Sequence, residues 1–237
     1  MPQFHLITPV KDSLETTREA VARIGRSQLE QALDYTVYND FSSPQTTAAL
    51  QEMASQGCFR LVNLSDLTDH PSPNYLLVLQ LAQQRALAEN VPLVLVESDV
   101  LVNPDTFARM LRQAQTPGTG MVAAVTVDRE GRVAFPYLYA RHWSKKVHRT
   151  RKRLSFCCTL LTPEFLRAFD FHLLDASKDW FDVFISHTSA KLGFSNYLMM
   201  DTPVVHLPHG SRPWKQLKYT HPIKYYWIKY TKGFDKI

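Results

Sequence analysis

Two carboxylates, Glu97 and Asp99, directly follow an uninterrupted apolar run from Leu93 to Val96. Such a run is typical of a strand that is buried on both faces, as in the centre of a parallel sheet. In these sheets, ligands bind beyond the carboxyl ends of the strands. Side chains two positions apart on an extended segment point to one side, so the pair could offer oxygen ligands to a divalent cation that also binds substrate phosphates. Alternatively, the two acids only begin the next turn and cap a helix near Pro104.

The rest of the chain alternates short apolar runs with segments of helical periodicity. The runs predict strands at 4–9, 35–38, 59–63, 93–96, 120–127, 154–161 and 203–206. The periodic segments predict helices at 14–24, 46–55, 74–89, 105–115, 163–169 and 183–192. This alternation predicts an α/β fold with a Rossmann-like, mostly parallel sheet flanked by helices. We expect one main domain, 1–206, followed by a tail, 207–237.

Positive charge is concentrated in two segments of the chain. The 237 residues carry a formal net charge of +5, with 45% hydrophobic and 21% charged residues, which is ordinary for a globular domain. Residues 141–153, here called the basic segment, contain seven Lys or Arg residues and no Asp or Glu. Residues 205–237 contain seven basic residues and one acidic residue. Two such clusters on a slightly acidic remainder indicate a polyanionic partner, although a solvated surface is the simpler interpretation.

The sequence also bears on the location of the protein. No apolar run approaches the roughly 20 residues that cross a bilayer, and the first residues are too polar for a signal peptide. The three cysteines, Cys58, Cys157 and Cys158, form no C-x-x-C pair and predict free thiols in a reducing cytoplasm. The tail interleaves aromatic and basic residues, which suits an anionic membrane surface. We therefore expect a cytoplasmic protein that associates peripherally with the inner face of a membrane, or whose tail packs against the domain.

Four features occur together in a fixed order. They are a strand ending in Thr-Pro, an Asn-Asp-x-Ser turn, the acid-x-acid strand end, and an acidic helix start followed by a histidine on the last strand. In this order the chain resembles the inverting nucleotide-sugar glycosyltransferases of family 2, which have the A-type glycosyltransferase fold. The resemblance covers about residues 4–206. It implies a catalytic domain that transfers sugar from a nucleotide-diphosphate sugar to a hydroxyl of a glycan or lipid-linked acceptor, as in polysaccharide biosynthesis, with Mn²⁺ or Mg²⁺ as cofactor.

The resemblance assigns residues on the donor side of the site. Thr8 and Pro9 occupy the place of the first-strand motif that borders the nucleotide. Asp40 falls on the turn that contacts the base, and Asn39 replaces the first aspartate of that turn. Without the resemblance, Asp40 would be a turn or cap residue. The chain has no Gln-x-x-Arg-Trp motif of processive synthases, which implies addition of a single sugar.

The same resemblance assigns the metal site. Glu97, Ser98 and Asp99 match the Asp-x-Asp motif of the family, with Glu in place of the first Asp. Asp99 would bind the metal directly, whereas Glu97 and Ser98 would lie against the nucleotide sugar, with Glu97 facing the ribose or a metal-bound water. His206 matches a late histidine that completes the metal site, and His209 is a second candidate. A structural role for a histidine after an apolar strand is the alternative.

The acceptor side is assigned through a later helix. The segment from Phe181 to Gly193 overlays a Glu-Asp-Val-Asp-Leu…Gly segment of the family, with Phe181 and Phe184 replacing two acids. Asp182 falls on the general base, which an inverting reaction needs within hydrogen-bond distance of the attacking hydroxyl. Asp179 is a nearby candidate for the same role. The alternative for Asp182 is a helix N-cap.

Other functions remain open at this stage. A nucleotidyltransferase would need a glycine-rich phosphate loop, and residues 8–13 contain no glycine. A nucleic-acid- or polyanion-binding module would use the basic segment for phosphate contacts, but it would not explain the acid-x-acid strand end. In a transferase, the basic segment would close over the donor diphosphate or bind an anionic acceptor. The replacements at Phe181 and Phe184 also raise the possibility of a transferase that binds without turnover.

Overall fold

The structure is a computed structural model that describes residues 3–207, 217 and 221–232. Its strands are β1 (His5–Val10), β2 (Asp34–Asn39), β3 (Arg60–Asn63), β4 (Leu93–Val96), β5 (Val100–Leu101), β6 (Thr119–Val127), β7 (Val147–Thr150), β8 (Cys158–Leu161) and β9 (Ser195–His206). Its α-helices are α1 (Leu14–Ile24), α2 (Pro44–Ser55), α3 (Tyr75–Glu89), α4 (Thr106–Ala114), α5 (Pro163–Ala168), α6 (Phe181–Lys191) and α7 (Pro222–Lys232). Short 3-10 helices occur at Leu64–Asp66, Leu138–Ala140 and Phe171–Leu173.

The strands form one sheet in the order β3-β2-β1-β4-β8-β6-β9-β5, and β7 pairs with β9 beside this path. The pairings show that, in the described part of the chain, six strands run in one direction and β5, β7 and β8 run in the other. The predicted α/β class, with a Rossmann-like, mostly parallel sheet flanked by helices, is confirmed. The half formed by β3, β2, β1 and β4 is wholly parallel, so its strands end at one edge.

Strand β4 is buried on both faces, as its apolar run predicts. Leu93 and Leu95 face one core layer, beneath α3, α5 and α6. Val94 and Val96 face the other layer, together with residues of α1, α2 and α4. The alternation follows from the two-residue period of a strand. The polar residues after Val96 therefore begin where the strand leaves the core.

The second half of the chain differs from the predicted elements. The predicted strand 154–161 forms its ladder only at Cys158–Leu161, and it runs antiparallel to β4 and β6. The predicted strand 203–206 is the end of a longer strand, Ser195–His206, which the polar residues before Pro203 conceal in the sequence. The loop-like basic segment contains β7, which pairs with β9. In the two described stretches, 3–207 and 221–232, we find no helix with the length and apolarity to cross a membrane.

Candidate active site

The acid pair lies between the end of β4 and the start of β5. The Glu97 N–H donates to the carbonyl of Cys157 at 3.0 Å, and the Val100 N–H donates to the carbonyl of Glu97 at 3.1 Å. The Leu207 N–H donates to the carbonyl of Asp99 at 2.9 Å, and Val100 pairs with His206 in the β5–β9 ladder. These backbone bonds place the end of the last strand directly against the acid pair.

The three residues assigned to this part of the site come together. The Nε2 atom of His206 lies 3.6 Å from an Asp99 carboxylate oxygen and 3.9 Å from a Glu97 oxygen. Asp99 is 2% exposed, whereas Glu97 and Ser98 are partly exposed. The Asp99 carboxylate therefore faces an imidazole inside the protein, with Glu97 towards the solvent side. Their roles in binding a metal and a nucleotide sugar stay predictions, and His209 lies outside the described residues.

His206 is held in one orientation by Phe135. Its Nδ1 atom donates to the Phe135 carbonyl at 2.9 Å, and its ring stacks on the Phe135 ring at a centroid distance of 6.3 Å. Burial opposes a charge on His206, but the hydrogen bond to Asp99 and the charges of Asp99 and Glu97 outweigh it and raise the pKa of His206 to about 9. A raised pKa favours the imidazolium at neutral pH, with a proton on each ring nitrogen.

Cys157 is a member of the site that the sequence did not reveal. Its thiol donates to Glu97 at 3.1 Å, and the ligand atoms of Glu97, Cys157 and His206 lie within 4.8 Å of one another. Burial, followed by the charge of Glu97, raises the pKa of the Cys157 thiol well above its usual range. A protonated thiol is a hydrogen-bond donor and a poor metal ligand. Cys157 therefore orients Glu97. The two residues are brought together by the pairing of β4 with β8, which no local sequence pattern indicates.

The donor set fits a divalent cation of the predicted kind. Carboxylate oxygens of Asp99 and Glu97 suit Mg²⁺ and Mn²⁺, and the Nε2 atom of His206 adds a nitrogen donor that its Phe135 hydrogen bond points at the same place. A ligating imidazole must be neutral, so binding of a cation would displace the Nε2 proton of His206. Among the described residues, Asp99 and His206 would hold the ion, with the Glu97 carboxylate beside it.

Asp182 lies in the first turn of α6, where a guanidinium holds its carboxylate. Arg153 Nε lies 3.6 Å from the Asp182 carboxylate, and the two side chains are 18% and 16% exposed. The Arg153 guanidinium lies over the Trp180 ring at 4.8 Å and over the Phe135 ring at 6.0 Å. Asp179, the other candidate for the general base, is exposed. Phe135 therefore contacts both His206, which lies beside Asp99, and Arg153, which lies beside Asp182.

The pKa of Tyr75 is affected by a carboxylate from each of the two clusters. Tyr75 is the first residue of α3, and its ring lies 6.5 Å from that of Phe156. Burial raises the pKa of Tyr75 well above its usual range, and the charges of Glu97 and Asp182 raise it further. A single phenol thus senses a carboxylate from each cluster. The two clusters are neighbours, because Phe135 stacks on His206 and also lies beneath the Arg153 guanidinium.

The residues assigned to the nucleotide have partners within the fold. Thr8 is wholly buried and accepts a hydrogen bond from the Tyr35 hydroxyl at 3.0 Å, whereas Pro9 is partly exposed. The Asp40 carboxylate accepts from the Ser72 hydroxyl at 2.7 Å and from the Asn74 amide groups at 2.9 and 2.8 Å. These contacts support the structural interpretation of Asp40, since its oxygens fix the loop before α3. The role of Asp40 in base contact stays a prediction.

Asn39 makes two side-chain hydrogen bonds that an ionised aspartate could not make. Its side-chain NH₂ donates to Asn63 and to the Thr47 hydroxyl, both at 3.0 Å. An aspartate in its ionised form cannot donate a hydrogen bond. Asn39 therefore ties β2 to β3 and α2, a structural role that the sequence did not indicate.

The fold can be compared with those of known proteins. Mannosyltransferase PcManGT from Pyrobaculum calidifontis, in complex with GDP-Man and Mn²⁺, is 18% identical, with 99% of this chain and 66% of that chain covered and a TM-score of 0.66. TarS of S. aureus, in complex with UDP-GlcNAc, is 14% identical, with 89% and 60% covered and a TM-score of 0.68. GalNAc-T7, with UDP, GalNAc and Mn²⁺, is 10% identical, with 88% and 44% covered and a TM-score of 0.63.

Comparison at the level of sequence identifies no related protein or family. No protein-family model matches the chain, and the search of curated proteins found no match. The chain spans between about two fifths and two thirds of the length of the three solved structures. Their similarity extends over most of its described sheet and helices. The chain therefore has the A-type glycosyltransferase fold that the motif order implied.

Proposed function

We propose that the protein is a metal-dependent inverting glycosyltransferase that adds one sugar from a nucleotide-diphosphate sugar to an acceptor hydroxyl. The observation that carries the proposal is the meeting of Glu97, Asp99 and His206 beyond the carboxyl end of β4. Ligands of open α/β sheets bind at such strand ends. Two of the solved structures with the same fold contain GDP-Man or UDP-GlcNAc, and the PcManGT and GalNAc-T7 structures contain Mn²⁺.

The donor half of the site would consist of residues that hold a divalent cation and of Glu97, which would face the donor. When bound, a divalent cation supplies positive charge against the diphosphate that leaves in the reaction. Asp99 and His206 would hold it, and Glu97, oriented by the Cys157 thiol, would face the ribose or a metal-bound water. Because Asp99 is buried beside an imidazole, its carboxylate is fixed before the donor arrives. This geometry favours a cation shared between protein and diphosphate.

The acceptor half would use Asp182. A carboxylate in the first turn of a helix can accept the proton of an attacking hydroxyl while its backbone stays rigid. Arg153 orients this carboxylate, and the Asp182 side chain is 16% exposed. The attacking oxygen then reaches the anomeric carbon from the face opposite the leaving diphosphate, with inversion.

Thermal-shift measurements with a panel of nucleotide sugars, with and without Mn²⁺, test this function. We expect sugars of one diphosphonucleoside to raise the melting temperature only when Mn²⁺ is present, because a ligand stabilises the state that it binds. Asp99→Asn should abolish this shift, and Asp66→Asn, at an exposed acid, should retain it. A shift of equal size in Asp99→Asn, or one independent of metal for every donor, would contradict the proposal.

The tail motivates a proposal about location. Helix α7 exposes Ile223 and Trp227, at 88% and 71%, together with Tyr226, while Tyr225 of the same helix is buried. Apolar and aromatic side chains beside lysines suit the headgroup region of an anionic membrane. We propose peripheral association with such a surface, where a lipid-linked acceptor would be found.

A further inference from the structure

The basic segment presents positive charge that few acidic groups among the described residues neutralise. Within the described part of the chain, Arg153 is the only cation of this segment that forms an ion pair. The other six are exposed, namely Arg141, Lys145, Lys146, Arg149, Arg151 and Lys152. Here they are called the cationic row. Six like charges close in sequence repel one another, and a bound polyanion would relieve that repulsion.

The middle of the cationic row is built into the sheet. There, strand β7 pairs with β9 from Val147 opposite Met199 to Thr150 opposite Asn196. The His148 ring lies 4.5 Å from that of Trp143 and accepts a hydrogen bond from the Lys145 N–H at 3.1 Å. A segment fixed by a strand ladder is a preformed surface. This favours a docking role over a flap that closes on the donor diphosphate, which are the two roles that the sequence left open.

The cationic row leads to the proposed general base. Arg153 directly follows Lys152 and lies 3.6 Å from Asp182. Arg151 is only two residues away, which an extended chain spans in about 7 Å. A ligand that follows the row therefore reaches Asp182. The Arg153 guanidinium lies over the Trp180 and Phe135 rings, and the Phe135 carbonyl in turn accepts a hydrogen bond from His206 beside Asp99.

Aromatic rings accompany the charges. Tyr139, Trp143 and His148 form successive ring contacts, and the Lys152 ammonium lies 4.8 Å from the centre of the Tyr139 ring. The Tyr139 and Trp143 rings are partly exposed. Aromatic rings with adjacent cations bind molecules that combine flat apolar faces with negative charge. A sugar chain bearing phosphate or carboxylate groups has both properties.

We propose that the acceptor is an anionic glycan, carrying phosphate or carboxylate groups along its chain, that lies on the cationic row and presents its hydroxyl to Asp182. This inference rests on the proposed transferase function and narrows the class of its acceptor. Single-stranded nucleic acid also combines stacking faces with phosphates. Binding of nucleic acid would, however, give no function to Asp182, the proposed general base beside the cationic row.

Affinity electrophoresis of the full chain in gels containing polygalacturonate, phosphorylated dextran or unmodified dextran tests the proposal. We expect retardation by at least one anionic polymer and none by unmodified dextran. The triple variant Lys145→Gln, Arg149→Gln, Arg151→Gln should bind roughly tenfold more weakly, since each exposed ion pair contributes a modest share. The control Arg23→Gln, Arg26→Gln, Arg112→Gln removes the same charge from exposed sites on or next to α1 and α4 and should bind as the unmodified protein does.

Each outcome decides one question. Equal binding by the two triple variants, or retardation by unmodified dextran, would overturn the anionic acceptor. A single-stranded DNA oligonucleotide that binds more tightly than both anionic polymers would overturn it in favour of nucleic acid. Donor-induced thermal shifts are measured on the same preparations. Their absence in the unmodified protein would refute the transferase function itself, and their retention in all variants shows that the substitutions leave the fold and donor site intact.

Discussion

Individual residues at the site divide into those that react and those that fix their neighbours. Asp99 and Asp182 carry the proposed chemistry, whereas Cys157 and Arg153 each hold a carboxylate through a direct contact. Such partners restrict the rotamers of the reacting groups, which preorganises a site. The two holding residues come from adjacent parts of the chain, on either side of Leu154 to Phe156.

Asp182→Asn separates chemistry from binding. The amide has the same shape as the carboxylate but cannot accept the hydroxyl proton, so we expect turnover to fall by about 100-fold or more. Donor binding should be nearly unchanged, because Asp182 lies on the acceptor side. The measurement is release of nucleotide diphosphate from the donor, in the presence of the anionic glycans, together with the donor-induced thermal shift.

Asp179→Asn is the matched control for that substitution, because Asp179 is an exposed acid three residues away. It should retain nearly full turnover. If turnover were lost in Asp179→Asn and kept in Asp182→Asn, Asp179 would be the general base and the proposed contact between Arg153 and the base would be wrong.

At the scale of elements, the close packing of β6 against α6 and β9 sets the position of the site. Gly120 in β6 has no room for a side chain, because a Cβ atom there would lie 2.7 Å from Phe194 Cβ and would also clash with Ser189. Ser189 in turn donates to the Asn196 side chain at 2.6 Å. The glycine thus permits the contact through which α6, with Asp182 at its start, is anchored to the sheet.

Gly120→Ala should lower the free energy of unfolding by about 1–3 kcal/mol, since the added methyl group forces buried neighbours to move. Urea denaturation measures the change. Gly25→Ala is the control, because Gly25 has a helical φ of −63° and its nearest contact to a Cβ atom would be 3.5 Å. This second substitution should leave stability unchanged or raise it by up to about 1 kcal/mol. Equal effects at both positions would contradict the packing argument.

The sequence revealed the elements whose pattern is local. The apolar run Leu93–Val96 and the helix at Leu14–Ile24 are predicted with the observed bounds, because burial of a strand or a helix face repeats along the chain. Strand β7 was missed because its sequence, Val-His-Arg-Thr, contains a single apolar residue and shows no apolar alternation. The bend and bulge of β9 around Pro203 also interrupt its pattern.

The site was predicted in part for the same reason. The motif order indicated Glu97, Asp99 and His206, which the structure brings together. It gave no sign of Cys157 or Arg153, because their positions depend on antiparallel strands and on the packing of α6, both of which join distant parts of the chain. Thr8 and Asp40 are motif residues whose side chains accept hydrogen bonds from other parts of the fold, namely from Tyr35 and Ser72.

For the whole molecule, the exposed face of α7 predicts membrane binding. The double variant Ile223→Ser, Trp227→Ser should cosediment less with vesicles containing phosphatidylserine, because it removes the apolar side chains that would enter the headgroup region. The control Leu173→Ser, Leu192→Ser removes other exposed apolar side chains and should cosediment as the unmodified protein does. Equal binding by both variants would show that α7 does not contact the membrane.

Strand β9 belongs to both halves of the proposed site. Its residues 196–199 pair with β7, and the same strand ends at His206 beside Asp99. Met199 and His206 are seven positions apart, which an extended strand covers in at most about 23 Å. We expect an acceptor that lies along the cationic row while its hydroxyl meets the donor sugar to be an oligomer. Monosaccharides would be poor substrates for this protein, and its rate would increase with the length of the chain offered to it.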